Sequence, residues 1–161
     1  MTARVATTAG TLDQSAAHDW YDRWLAAWSS GDPESIRPLI TEDFLLESPT
    51  TRHTGWRVVG PDQTRDYLAY VFRAYPDISW ERTLPGMFAT DEPRAAFWWR
   101  GTGHFTGVLD PPGIAGTGRG FSFEGVEVFD FRADRATRLR AAYDLHGLMK
   151  QIGVAQRARG R

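Results

Sequence analysis

Glu127 is the residue whose position points most directly to proton chemistry. Side chains alternate between the two faces of a strand, so this carboxylate shares its face with Phe121, Phe123, Gly125 and Phe129. Burial of an acid within an aromatic row disfavours its charged form and raises its pKa, which suits acid/base catalysis near neutral pH. The alternative is that this face is solvated and that Glu124, Val126 and Val128 point inward.

His104 is the second candidate proton carrier. It lies in an aromatic run, residues 95–105, that also contains Phe97, Trp98 and Trp99. The ordinary pKa of an imidazole lies near neutrality, so His is well suited to moving protons. The alternative is a structural His that is held in place by hydrogen bonds.

Asp144 is the third candidate, and two roles are open to it. It directly precedes a predicted short helix, so it can cap that helix by accepting backbone N–H bonds. It also shares strand parity with Arg140. An Arg directed at Glu127 or Asp144 would keep one carboxylate ionised and leave the other free to take a proton.

Aromatic side chains are the main candidates for a substrate-binding wall. The chain has seven Trp and nine Phe, and such side chains either fill a core or line a pocket. Trp20, Trp24 and Phe72 have helical core spacing, for which packing is the plainer role. We interpret His53 and Arg52 as solvated loop residues. The predicted substrate-binding set is Trp20, Trp24, Trp56, Phe72, Trp99, Phe123, Arg140 and Tyr143.

Composition narrows the remaining chemistry. The chain has no Cys, which excludes disulfides, thiol nucleophiles and Cys-ligated metals. No His/carboxylate set has the spacing of a zinc site, and the Gly residues of 106–120 lack the Lys of a phosphate-binding loop. We therefore expect no metal and no cofactor. The net charge of -1 argues against nucleic acid as a partner.

The sequence also lacks membrane and export signals. There is no run of about eighteen apolar residues, and residues 1–15 lack the basic-then-apolar order of a secretory signal. The expected location is the cytoplasm, without membrane association.

Hydrophobic periodicity predicts the elements that must position these residues. Six apolar residues at helical spacing predict a first helix that ends at Ser30-Gly31: Ala17, Trp20, Tyr21, Trp24, Leu25 and Trp28. A short second helix follows Asp32-Pro33, and a third runs from Gly60 to the residue before Pro76. Strands are predicted at residues 44–47, 78–84, 87–90, 95–105, 121–131 and 137–143, and a closing helix at 145–152.

Two segments have no predicted regular structure. Residues 48–59 are interpreted as an irregular lid or loop, and residues 106–120 as a long hairpin connection able to fold over a pocket mouth. One domain is expected over residues 15–154, with flexible termini at 1–14 and 155–161. Helices followed by strands predict an α+β layout in which the helices cover one face of an antiparallel sheet.

Five local strings, in order between about residues 20 and 153, resemble the SnoaL-like polyketide cyclases of the nuclear transport factor two-like, ketosteroid-isomerase-like superfamily. The strings are Thr41-Glu42-Asp43-Phe44, Tyr75-Pro76-Asp77, Gly101-Thr102-Gly103-His104, residues 123–129 and residues 144–153. The match over residues 101–107 is imperfect, and Arg140 stands where the family usually has a Trp.

The resemblance implies a fold, an assembly and a ligand class. The implied fold is a cone: a strongly curved, mostly antiparallel sheet covered by three N-terminal helices, with a short C-terminal helix. The resemblance also implies a homodimer and a small apolar, polyketide-like ligand at the open end. It places a cavity-facing His at position 104 and the acid/base carboxylate at position 127.

The function that follows is a cofactor-independent cyclase of natural-product, or antibiotic, biosynthesis. In this interpretation Glu127 and His104 move protons during an intramolecular aldol closure while aromatic side chains fold the substrate. The same pocket would also suit an epoxide-opening cyclase, an isomerase or a pericyclase. A non-catalytic ligand-binding or dimerisation domain is the remaining alternative, because fold does not fix function.

Overall fold

The computed structural model describes residues 4–5 and 11–154. Most of the predicted flexible N-terminus and all of the predicted flexible C-terminus, residues 155–161, therefore lie outside the described residues. The described chain has the predicted α+β architecture, with a curved, mostly antiparallel sheet and helices against it.

Four of the five helical segments lie close to where the sequence predicts, and one, at residues 49–54, was not predicted. The five are α1 (Gln14–Trp28), a 3₁₀ helix (Pro33–Leu39), α2 (Pro49–Thr54), α3 (Gly60–Ala74) and α4 (Leu145–Gln151). The Asp13 side chain caps α1 by accepting the N–H of Ala16 at 3.0 Å. The predicted second helix is a 3₁₀ helix with Pro38 inside it, and the Pro ring, which clashes with the carbonyl four residues earlier, disfavours an α-helix there. No helix among the described residues is long and apolar enough to span a bilayer.

The main sheet has seven strands. They are β1 (Ile40–Glu47), β2 (Val58–Val59), β3 (Ser79–Arg82), β4 (Met87–Phe88), β5 (Arg94–His104), β8 (Gly120–Arg132) and β9 (Arg135–Tyr143). Their order is β2-β1-β9-β8-β5-β3, with β4 also on β5. All pairs are antiparallel except β1 with β9, which makes the sheet mixed rather than purely antiparallel. A separate hairpin joins β6 (Val108–Leu109) to β7 (Ile114–Ala115).

The two segments predicted to be irregular contain short elements. Residues 48–59 hold α2 and β2, and Ser48 caps α2 through reciprocal bonds with Thr51. The Ser before Pro49 is a helix-start signal that the polar composition of this segment concealed. Residues 106–120 hold the β6–β7 hairpin, whose Gly107 N–H donates to the Ala74 carbonyl at 3.1 Å.

The aromatic face of α1 packs on the inner face of the sheet. Tyr21 stacks on Phe97 with ring centroids 4.1 Å apart, and Trp20 meets Phe129 edge-on at 4.9 Å. Four residues before Phe129 on β8, Gly125 lies so close to Trp99 that a Cβ there would come within 2.5 Å of the indole. The core is therefore dense at one end of the sheet, and small residues leave room for flat aromatic walls at the other.

Candidate functional site

An apolar cavity of about 730 Å³ lies between the helices and the inner face of the sheet. Residues from α1, α2, α3, α4 and the β6–β7 hairpin line it together with inner-face residues of β5, β8 and β9. The aromatic residues of the wall are Trp24, Trp28, Trp56, Tyr67, Tyr70, Tyr75, Trp80, Trp99, Phe123 and Tyr143. A pocket of this size and polarity suits a multi-ring organic ligand.

Glu127 is the acidic residue of this wall. It lies on the inner face of β8, opposite Ala141 of β9, and is only 8% exposed. The Tyr21 hydroxyl donates to Oε1 at 2.8 Å, and the indole N–H of Trp24 donates to Oε2 at 3.3 Å. Both donors come from α1, so this helix fixes the orientation of the carboxylate.

Burial raises the pKa of Glu127 from 4.5 to about 7. The hydrogen bonds from Tyr21 and Trp24 act in the opposite direction, because they favour the charged form, but desolvation is the larger effect. Burial, with the nearby charge of Glu127, raises the pKa of Tyr21 well above its usual range, so its phenol remains a donor. Glu127 can therefore exchange a proton near neutral pH.

Five of the predicted substrate-binding residues line the cavity: Trp24, Trp56, Trp99, Phe123 and Tyr143. Two others are core residues. Trp20 stacks on Trp24 with centroids 5.5 Å apart and donates its indole N–H to the Leu39 carbonyl. Phe72 is buried in the same core.

The prediction that His104 faces the cavity is wrong. Its side chain is 58% exposed, and its Nδ1 lies 2.6 Å from Oδ2 of Asp77. Alternation along β5 explains the error: Phe97 and Trp99 point inward, so a residue five positions after Trp99 points outward. The backbone N–H of His104 also donates to Asp77 at 2.8 Å, which joins the end of β5 to the turn after α3.

Arg140 and Asp144 also lie away from Glu127. Arg140 is opposite Val128 on the outer face, and its guanidinium lies 3.2 Å from Asp130. Asp144 caps α4 by accepting the N–H of Gly147 at 2.8 Å. The predicted pairing of Arg140 with Glu127 or Asp144 is therefore not formed, and the capping role of Asp144 is the one observed.

Several polar residues of the site were not predicted. Tyr21 belonged to the predicted α1 stripe, but nothing indicated that its hydroxyl would meet Glu127. Ser48, Thr50 and Tyr67 were not predicted either; together with Tyr143, which was, they make up a group of hydroxyl-bearing wall residues that we term the hydroxyl cluster. His53, interpreted from sequence as a loop residue, is an exposed residue of α2 that contributes to the lining.

Over residues 4–5 and 11–154, no three His, Asp or Glu side chains come together in an arrangement able to hold a metal ion.

Comparison with known families identifies the domain type. A family model described as a SnoaL-like domain matches residues 21–139. No curated protein matches the sequence significantly.

Solved structures share the fold at low sequence identity. TsrD from Streptomyces laurentii is 21% identical with a TM-score of 0.73, covering 89% of this chain and 99% of that one. A protein with a ketosteroid isomerase-like fold from Catenulispora acidiphila, solved with trimethylamine, is 18% identical with a TM-score of 0.69 over 85% and 94%. A provisionally assigned polyketide cyclase from Xanthomonas campestris is 20% identical with a TM-score of 0.70 over 86% and 98%.

At these identities the structural matches establish the fold alone, whereas the family model matches the sequence itself over most of the chain. The two comparisons agree with the observed fold, and the chain belongs to the SnoaL-like family.

Proposed function

We propose that this protein is a cofactor-independent enzyme that closes a ring in a polyketide-type intermediate, with Glu127 as its general acid/base. The observation that carries the proposal is a buried carboxyl in the wall of a large apolar cavity, held by Tyr21 and Trp24 and with a pKa raised to about 7. Membership of the SnoaL-like family supports the same chemistry.

The proposed reaction is an intramolecular aldol addition. The ionised Glu127 takes a proton from a carbon beside a substrate carbonyl, and the resulting enolate carbon attacks a second carbonyl of the same molecule. A C–C bond forms, and the new alkoxide recovers the proton from the Glu127 carboxylic acid. Atoms and charge balance, and one group serves as base and then as acid.

The wall supports the substrate class. Its residues are mainly aromatic or aliphatic, and a volume of about 730 Å³ accommodates several fused rings. Burial against such walls holds a flexible chain in the folded form that closure requires. The provisional assignment of the Xanthomonas campestris structure as a polyketide cyclase points the same way.

Ring closure by the purified protein tests the proposal. The probes are aromatic poly-β-ketone esters that can form a six-membered ring, and the product has the mass of the substrate or, after dehydration, one water less. Glu127→Gln should lower turnover by about 10² to 10⁴. Glu124→Gln is the matched control, because Glu124 is exposed and pairs with Arg100 at 2.7 Å on the outer face of the same strand. Closure that Glu127→Gln leaves intact, or that the wild type does not accelerate, contradicts the proposal.

We also propose that the protein forms a homodimer through the outer face of its sheet. Trp98 of β5 is 38% exposed there, although large apolar side chains gain free energy from burial. Sedimentation should give a dimer at micromolar concentration, and Trp98→Arg should give a monomer. A monomeric wild type at that concentration would show this assembly to be wrong.

A further inference from the structure

The hydroxyl cluster gives the apolar cavity a second polar region. The Thr50 Oγ1 and Tyr143 Oη atoms lie 2.5 Å apart, and the Ser48 Oγ and Tyr67 Oη atoms lie 3.3 Å apart. Ser48 and Tyr67 are buried, and all four side chains contribute to the wall of the cavity. Each phenol is thus paired with an aliphatic hydroxyl at the start of α2.

Each hydroxyl of the cluster can both donate and accept a hydrogen bond. The Oγ atom of Ser48 already accepts the N–H of Thr51 at 3.1 Å, so its proton is available for the oxygen of Tyr67. The hydroxyl of Thr50 can likewise donate to Tyr143, and the hydroxyl of Tyr67 also forms a hydrogen bond with Tyr143. A carbonyl oxygen in the cavity can therefore accept a hydrogen bond from a phenol of this cluster.

The cluster and Glu127 belong to the same wall. Tyr143 is opposite Gly125 in the β8–β9 register, and Gly125 precedes Glu127 by two residues on the same face. Two residues of strand span about 7 Å, roughly the length of one or two fused rings. Burial raises the pKa of Tyr67 well above its usual range, so its phenol is protonated at neutral pH.

We propose that the phenol hydroxyls of Tyr67 and Tyr143, oriented by Ser48 and Thr50, bind a carbonyl oxygen of the substrate and so determine which of its carbons meets Glu127. The ligand class is therefore a ring ketone or polyketone rather than a hydrocarbon-like terpenoid. The inference deepens the proposed function and relies on it for the identity of the reacting carbon. The ligand preference that it predicts does not require Glu127 to be active.

Binding of two ligands that differ by one oxygen tests the inference. The probes are 1-tetralone and tetralin, which have the same ring system with a C=O in one and a CH₂ in the other, measured by calorimetry. The informative quantity is the ratio of the Kd of tetralin to that of 1-tetralone, because losses of packing affect both ligands and cancel. Removing one neutral hydrogen bond should lower this ratio about three- to tenfold.

Three variants and one control carry the test. Tyr143→Phe and Tyr67→Phe each remove a donor, and Thr50→Val removes the hydroxyl that orients Tyr143. All three should lower the ratio. Thr102→Val makes the same change as Thr50→Val on the exposed outer face of β5 and should leave the ratio unchanged.

A purely structural role of the cluster would give a different result. The hydroxyl cluster also joins α2 to α3 and β9, so variants that only loosen this junction would weaken both ligands equally. An unchanged ratio in Tyr143→Phe and Tyr67→Phe overturns the proposal. Glu127→Gln should keep the wild-type ratio even though it slows ring closure. If it removes the preference for 1-tetralone, the carbonyl binds at Glu127 instead and the proposal is wrong.

Discussion

At the scale of single residues, the burial of Glu127 that the proposed chemistry requires also lowers the stability of the folded protein as pH rises. Burial raises its pKa from 4.5 to about 7 in the folded state, so the folded protein retains a proton that the unfolded chain releases. Stability is then fully present below about pH 4.5 and declines as pH rises through about 7. A shift of this size corresponds to roughly 3 kcal/mol.

Glu127→Gln should remove this pH dependence, because the amide is neutral at every pH and can still meet Tyr21 and Trp24. Above pH 7 the variant should be more stable than the wild type by up to about 3 kcal/mol, and near pH 4.5 the two should be alike. Urea unfolding across this pH range measures the difference. A difference that stays constant with pH would mean that Glu127 does not titrate as described.

Strand alternation explains which of the predicted catalytic residues face the cavity. The inner face of β8 was predictable because phenylalanines surround Glu127 at one set of alternate positions, whereas the other set holds two valines among polar and charged residues. On β5 apolar rings occupy both parities, as Trp98 and Trp99 illustrate, so the sequence did not show which face His104 would take. The Tyr21 contact with Glu127 spans 106 positions, and no local pattern encodes it.

At the scale of elements, the cap of α4 supports one side of the cavity. Asp144 holds the first turn of this helix, and Leu145, Leu148 and Met149 of the helix contribute to the lining. Asp144→Ala should lower the free energy of unfolding by about 1 kcal/mol, whereas Asp144→Asn should change it little because Asn caps almost as well. Chemical denaturation of the three proteins tests this difference. Equal stability of the Ala variant and the wild type would contradict the capping role.

Short elements were the hardest to predict. The long helices α1 and α3 carry clear apolar stripes, but α2 is six residues long and has no room for a stripe. The sequence signal for α2 was the capping residue Ser48 before Pro49, not a hydrophobic periodicity. The β6–β7 hairpin has two residues per strand, and its Leu109 and Ile114 reach the cavity. Both segments help to form the site. The sequence therefore predicted the part of the wall that comes from the sheet and the long helices better than the part that comes from α2 and the β6–β7 hairpin.

At the scale of the whole molecule, helices that pack closely at one end of a curved sheet leave space at the other. The order of helices and strands predicted the α+β layout. The resemblance of five local sequence strings to the SnoaL-like cyclases predicted the cone-shaped fold. The volume of the cavity depends on close approaches such as that of Trp99 to Gly125. Those approaches follow from the tertiary arrangement, not from any periodicity along the chain.

The pH dependence of a Kemp elimination tests the central claim most directly. In this reaction a base removes the C–H proton of 5-nitrobenzisoxazole, the N–O bond breaks, and a coloured cyanophenolate forms. The probe has no carbonyl, so its rate reports on the base alone. If Glu127 is that base, kcat/KM should rise with pH through a midpoint of about 7, and Glu127→Gln should lower it by about 10² to 10⁴. A midpoint near the ordinary value of 4.5, or a rate that Glu127→Gln leaves unchanged, would contradict the account.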